Sequence, residues 1–206
     1  TDLLISEYVE GSSNNKCIEI YNGTSNAINL ATSGYQLRLY FNGATTFTTI
    51  NLTGTVAAGG THLICNTAAT APFLALANQT SGSMTYNGDD AVVLFKTSGN
   101  QIIDIIGRTG EDPGTSWISG ALSTENQTLR RKSTVTAGVT TNPASGFPTL
   151  ANQWTNAGLD NTSNLGSHFM VIGNNTAQFT VTDAGGFSLT VPVGVTVKDT
   201  IKPVAS

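Results

Sequence analysis

"YNGDDAVVLFKTSGNQIIDIIGRTGEDPGTSW", residues 86–117, sets two apolar runs, 91–96 and 101–106, on either side of a Thr-Ser-Gly-Asn turn. Runs rich in Val and Ile around such a turn read as a β-hairpin. With Lys96 opposite Gln101, alternation places Phe95 opposite Ile102 and Val93 opposite Asp104. Asp104 then shares a face with Ile102 and Ile106. That predicts a half-buried carboxylate held by backbone amides or by an arginine, with Arg108, Arg130 and Arg131 as candidates. Asp89 and Asp90 follow the Asn87-Gly88 turn and open a strand, while Asp112-Pro113-Gly114 is a turn in its own right. Acids that look like a catalytic cluster thus read mainly as the corners of a hairpin. Only the 87–90 turn keeps a claim to a ligand.

Further strand-like runs surround this hairpin: 3–9, 17–22, 35–41, 61–66 and 127–132. Asn22-Gly23, Asn42-Gly43 and Asn87-Gly88 supply turn dipeptides that tolerate positive φ. The only helix-like stretch is short, "TAPFLALANQ" at 70–79. About seven short strands at this spacing predict an all-β, immunoglobulin-like sandwich. Within it, Ile18 and Ile20 share one face and Cys17, Glu19 and Tyr21 the other. Leu37 and Leu39 face away from Gln36, Arg38 and Tyr40. Glu19 and Arg38 are expected to pair across neighbouring strands as a structural contact. From about residue 169 the pattern changes to Thr/Val alternation. The segment 169–206 reads as the end of a second small sandwich, or as strands completing the first, with "DTIKPV" as a linker to another domain.

The chain has 206 residues, of which 39% are hydrophobic and only 11% charged, with a net charge of −4. It can supply a core, so disorder is not expected. The acidic balance argues against nonspecific binding to nucleic acid or anionic membrane. No apolar stretch is long enough to span a bilayer as a helix. The chain opens at Thr1 without a leader, which reads as an excised fragment from which an export signal has been removed. Cys17 and Cys65 both fall in predicted strands. Two buried thiols are the favoured reading and a disulfide the alternative, worth on the order of 4 kcal/mol if closed.

The order of "LLISEYVEGSSNNKCIEIYNGT", "INLATSGYQLRLYFNG", "LTGTVAAGGTHLICN", the 86–117 stretch, "TLRRK", Trp154 and "LGSH" closely resembles the lamin-tail domain in its bacterial form. The resemblance covers about residues 1–168. It implies an immunoglobulin-like sandwich that serves as a noncatalytic accessory module in secreted nucleases and other exported multidomain proteins. An extracellular or cell-surface location is implied with it. The tail, through "FTVTDAGG" and "VTVKDTIKPV", resembles the end of bacterial extracellular immunoglobulin-like repeats. Cys17 stands where the family often has a small apolar residue.

The chemical readings are few. His62 and His168 have no metal-ligand spacing and read as surface or strand-end residues; no nucleophile elbow, P-loop or Cys-x-x-Cys is present. Hard-oxygen donors for Ca²⁺ are available in Asp89, Asp90 and Glu10, with Glu7, Glu111, Asp112 and Asp183 elsewhere, but without dedicated calcium-loop spacing. Arg130 and Lys132 point away from Arg131, so they do not form one phosphate track. Trp117 and Trp154 are expected to close the ends of the core, a sugar platform being the minor alternative. The Asn-x-Ser/Thr triplets at Asn22, Asn51, Asn78, Asn126, Asn161 and Asn174 arise by chance in so Asn/Thr-rich a chain and, in a bacterial protein, carry no glycan information. The expected role is tethering or targeting through protein, polysaccharide or DNA contacts, beside neighbouring domains of the same chain. A Ca²⁺-dependent adhesion or carbohydrate-binding module is the alternative.

Overall fold

The computed structural model describes residues 2–171 and, beyond them, only the backbone of strands Asn175–Thr182 and Ser188–Val195. In chain order the sandwich strands are β1 (Leu3–Glu10), β2 (Lys16–Asn22), β3 (Tyr35–Tyr40), β4 (Thr48–Asn51) and β5 (Thr61–Cys65). They continue with β6 (Gln79–Thr80), β7 (Ala91–Lys96), β8 (Gln101–Ile106), β9 (Gln127–Arg131) and β10 (Trp154–Asn156). A six-stranded sheet runs β10-β9-β1-β2-β5-β6 and a four-stranded sheet β8-β7-β3-β4. All neighbours are antiparallel except β5 and β6. The stretch 70–79 contributes one helical turn, Ala71–Leu74, entered through Pro72.

Both sheets contribute to one core: Ile5, Tyr8, Ile18 and Ile20 from the larger, Leu37, Leu39, Val92 and Leu94 from the smaller. Each such side chain is worth about 1.5–3 kcal/mol on burial. Strand β3 alternates strictly between buried and half-exposed residues, as a sheet with one solvated face must. Strands β1 and β2 are buried at every position. Their second face is covered by the segment before residue 171, where Leu165 packs on Val9 and Cys17, and Met170 on Leu4 and Tyr21.

The hairpin register departs from expectation at one point. Gln101 faces Lys96 and Ile102 faces Phe95, but the ladder shifts between Ile102 and Asp104. Asp104 faces Leu94 and Val93 faces Ile105. This bulge turns Ile103 into the main core while Ile102 and Ile105 join the outer cluster with Val93 and Phe95. Asp104 is fully buried rather than half-buried.

The favoured reading of two thiols is also corrected. Cys17 and Cys65 are direct partners on β2 and β5, with Cα atoms 4.1 Å apart, and form a disulfide. Asn66 N–H donates to Lys16 O one pair further along, so the cysteines sit at the non-hydrogen-bonded pair, where side chains come closest. Sequence alternation could place both in strands but could not say which strands are neighbours.

Of the three Asn-Gly dipeptides, only Asn42-Gly43 takes positive φ at both residues. Asn22 is instead a buried hub: its amide donates to the carbonyls of Asn26, Val56 and Ala57, and its Oδ1 accepts from Thr24. The strands Asn175–Thr182 and Ser188–Val195 pair with each other. The expected turn at 182–186 and the linker 199–204 lie outside the described residues, apart from Thr182.

Candidate ligand-binding site

The three acids proposed for calcium sit near one loop end of the sandwich, yet each is placed for a different purpose. Asp90 accepts from the amides of Asn42 and Asn87 and so ties two turns together. Glu10 receives Lys16 Nζ on one oxygen and Asn126 N–H on the other. Asp89, 7% exposed, keeps a buried Oδ1 without a hydrogen-bond partner. Burial pushes its carboxyl above the usual range, and the charge of Asp112 adds to the rise. Glu10, Asp89 and Glu125 line a polar cavity of about 340 Å³. Among the described residues, no three His, Cys, Asp or Glu side chains form a group that could hold a metal. The expected Ca²⁺ set is therefore not assembled: the backbone has already taken the oxygens of Asp90.

Asp104 lies at the other extreme, between the sheets. Arg131 Nη2 donates to Oδ2, which also accepts from Ile5 N–H at 2.9 Å. Oδ1 accepts from the amides of Ile105 and Val139. Gly138 lets that last chain approach, because a Cβ there would lie 2.3 Å from Ile103 O. Arg131 is held in three directions, by Asp104, by Ile5 O and by Gln153, and its guanidinium lies 4.1 Å over the Trp154 ring. This pair joins β8 to β9 and β1, so it pins one sheet to the other.

A second pair of carboxylates sits under the segment that covers the larger sheet. Glu7 and Glu19 are register partners on β1 and β2, and both are fully buried. Glu7 accepts from Arg130 Nε and Asn164 Nδ2, while Glu19 accepts from Ser6 Oγ and Gly166 N–H. Burial raises Glu19 to about 8, against the hydrogen bonds it accepts. The expected Glu19–Arg38 contact does not exist. Glu19 belongs to the larger sheet and Arg38, on β3, to the smaller, so they are not neighbours.

The remaining expectations are placed as follows. His62 is buried within β5, not at a surface, and burial lowers its pKa. His168, half-buried, is pulled down to about 4 by burial and by the charge of Arg131. Trp117 and Trp154, 5% and 1% exposed, belong to the core, which removes them as a sugar platform. Gly107 makes room for Trp117, since a Cβ there would meet the indole at 2.4 Å. Arg130 and Arg131 are both ion-paired, and Lys132 donates to Ala151 O.

Sequence reasoning passed over Phe47, a lone aromatic in a Thr-rich loop, which the fold brings onto Arg38. Arg38 lies on the outer face of the smaller sheet, its guanidinium carbon 3.3 Å from the Phe95 centroid and 4.4 Å from that of Phe47.

An immunoglobulin-like sandwich with these strands is matched by the family model described as Lamin Tail Domain, over residues 1–110. The chain belongs to the lamin-tail domain family. No curated protein and no solved structure matches it. The matched part of the lamin-tail domain ends just after β8, while β9 and β10 extend the larger sheet of the same sandwich. The lamin-tail domain is a noncatalytic immunoglobulin-like module, in keeping with carboxylates spent on backbone amides and arginines. No helix among the described residues is long and apolar enough to cross a membrane.

Proposed function

We propose that this lamin-tail domain is a noncatalytic accessory module of an exported multidomain protein, a secreted nuclease, and that it tethers or targets its parent outside the cell. The observation that carries the reading is the buried Cys17–Cys65 disulfide. Disulfides form and persist in oxidising compartments and are rare where glutathione keeps thiols reduced. The accessory role is supported by the use of the chemistry-bearing side chains. Asp90, Asp104, Glu7, Glu10 and Glu19 all accept bonds from the fold itself, so these five described carboxylates are engaged in structure rather than aimed at a common point. The test is removal of the domain from its full-length parent. Catalytic turnover should persist while retention at the cell surface or matrix is lost. Loss of turnover with unchanged retention would overturn the reading.

A further inference from the structure

Arg38 is the one described arginine without a carboxylate. Lys16, Lys96, Arg108, Arg130 and Arg131 each pair with an acid, and Lys132 finds a carbonyl. Arg38 has only a long contact from Nε to Gln36 Oε1, 3.4 Å. Its guanidinium nonetheless lies over the rings of both Phe47 and Phe95, and Gln36 meets only one of its five N–H groups, which leaves the others as open donors. Covering Phe95 is an ordinary use of an arginine stem. It does not account for Phe47, which stays 43% exposed.

The surroundings are polar and shallow. Thr49 faces Arg38 across β4, and the Gln36–Asn51 amide pair lies beside it at the surface. Tyr40 packs against Phe47 with ring centroids 5.3 Å apart. A planar cation, an exposed phenyl ring and a rim of amides and hydroxyl suit a ligand with one carboxylate, one apolar ring face and several hydroxyls.

We propose that this face binds a uronate residue of an acidic polysaccharide. The carboxylate takes the free N–H groups of Arg38, the sugar ring lies against the exposed part of Phe47, and the hydroxyls meet Gln36, Thr49 and Asn51. A single guanidinium matches a single carboxylate. A nucleic-acid backbone needs a row of aligned cations, and this face of the sheet carries one. The assignment rests on the tethering reading and names its ligand.

The test is calorimetric titration of this chain with oligogalacturonate in EDTA, with a neutral galactan oligomer as control. Wild type should bind the acidic oligomer and not the neutral one. Arg38→Gln should weaken binding roughly tenfold or more, and Phe47→Ala should weaken it as well. Arg38→Lys keeps the charge but lacks the fork and should fall between. Melting curves of each variant confirm that it is folded. No binding by wild type, equal binding by Arg38→Gln, or Arg38-dependent binding of polyglutamate or duplex DNA in its place overturns the proposal. A parent retained only when it carries the domain, with no oligogalacturonate binding, refutes the sugar assignment alone. A parent retained without the domain refutes tethering itself.

Discussion

Replacing Asp104 by alanine removes a carboxylate on the smaller sheet that holds Ile5 and Arg131 of the larger. Arg131 would remain fully buried with its charge unmatched, and breaking such a pair costs about 3–5 kcal/mol. The amides of Ile5, Ile105 and Val139 would lose their acceptor in the same step. Each orphaned amide adds about 1–3 kcal/mol unless water reaches it, so a total loss on the order of 5–10 kcal/mol is expected. Against a typical domain stability of about 5–15 kcal/mol, that is a large fraction of the whole. Urea unfolding followed by tryptophan fluorescence reads it directly, because Trp154 stacks on Arg131. The paired variant Asp104→Ala with Arg131→Met separates the two costs. It removes the stranded charge, so a coupling on the order of 2–3 kcal/mol should appear, while the orphaned amides still keep the double variant below wild type. A single-variant loss below about 1 kcal/mol, or strict additivity, would refute the inter-sheet pin.

Glu19 makes stability depend on pH. With its folded pKa raised from 4.5 to about 8, the folded state holds a proton that the unfolded chain releases. Stability is therefore complete below about pH 4.5 and falls as pH rises through 8, by a total on the order of 5 kcal/mol; Glu19→Gln should flatten that fall in thermal melts taken across the range. Cys17→Ala with Cys65→Ala opens a link spanning 48 residues, for which chain entropy gives a loss of about 4 kcal/mol. Since both cysteines are fully buried, reductant should open the bond in urea but not in buffer, read by thiol titration. Asp89→Asn keeps the shape while removing a charge that burial disfavours, so its melting temperature should equal or exceed wild type at neutral pH. Millimolar Ca²⁺ should leave wild-type melting unchanged, and a rise abolished by Asp89→Asn would show that a calcium site does form there.

The strands and the fold class could be read along the chain. Alternation at Leu37 and Leu39, the apolar runs at 91–96 and 101–106, and the turn between them are local signals, set by the two-residue period of a strand. They also told that Asp104 needed a partner, because a carboxylate on an apolar face must be satisfied. Which partner, and which neighbours, is nonlocal. Cys17 meets Cys65 because β2 borders β5, and Glu19 misses Arg38 because their strands lie in different sheets. A single bulge at Ile103 shifted every pairing after it, and nothing in a period-two pattern marks where one residue will be left over. The candidate site shows the same division. Asp89, Asp90 and Glu10 were conspicuous as charges, yet tertiary contacts gave two of them to backbone amides and a lysine. Phe47 was inconspicuous in its Thr-rich loop and became part of a site only when the fold laid it over Arg38. Composition and period are written along the chain; pairing is decided by which surfaces the packed sheets bring together.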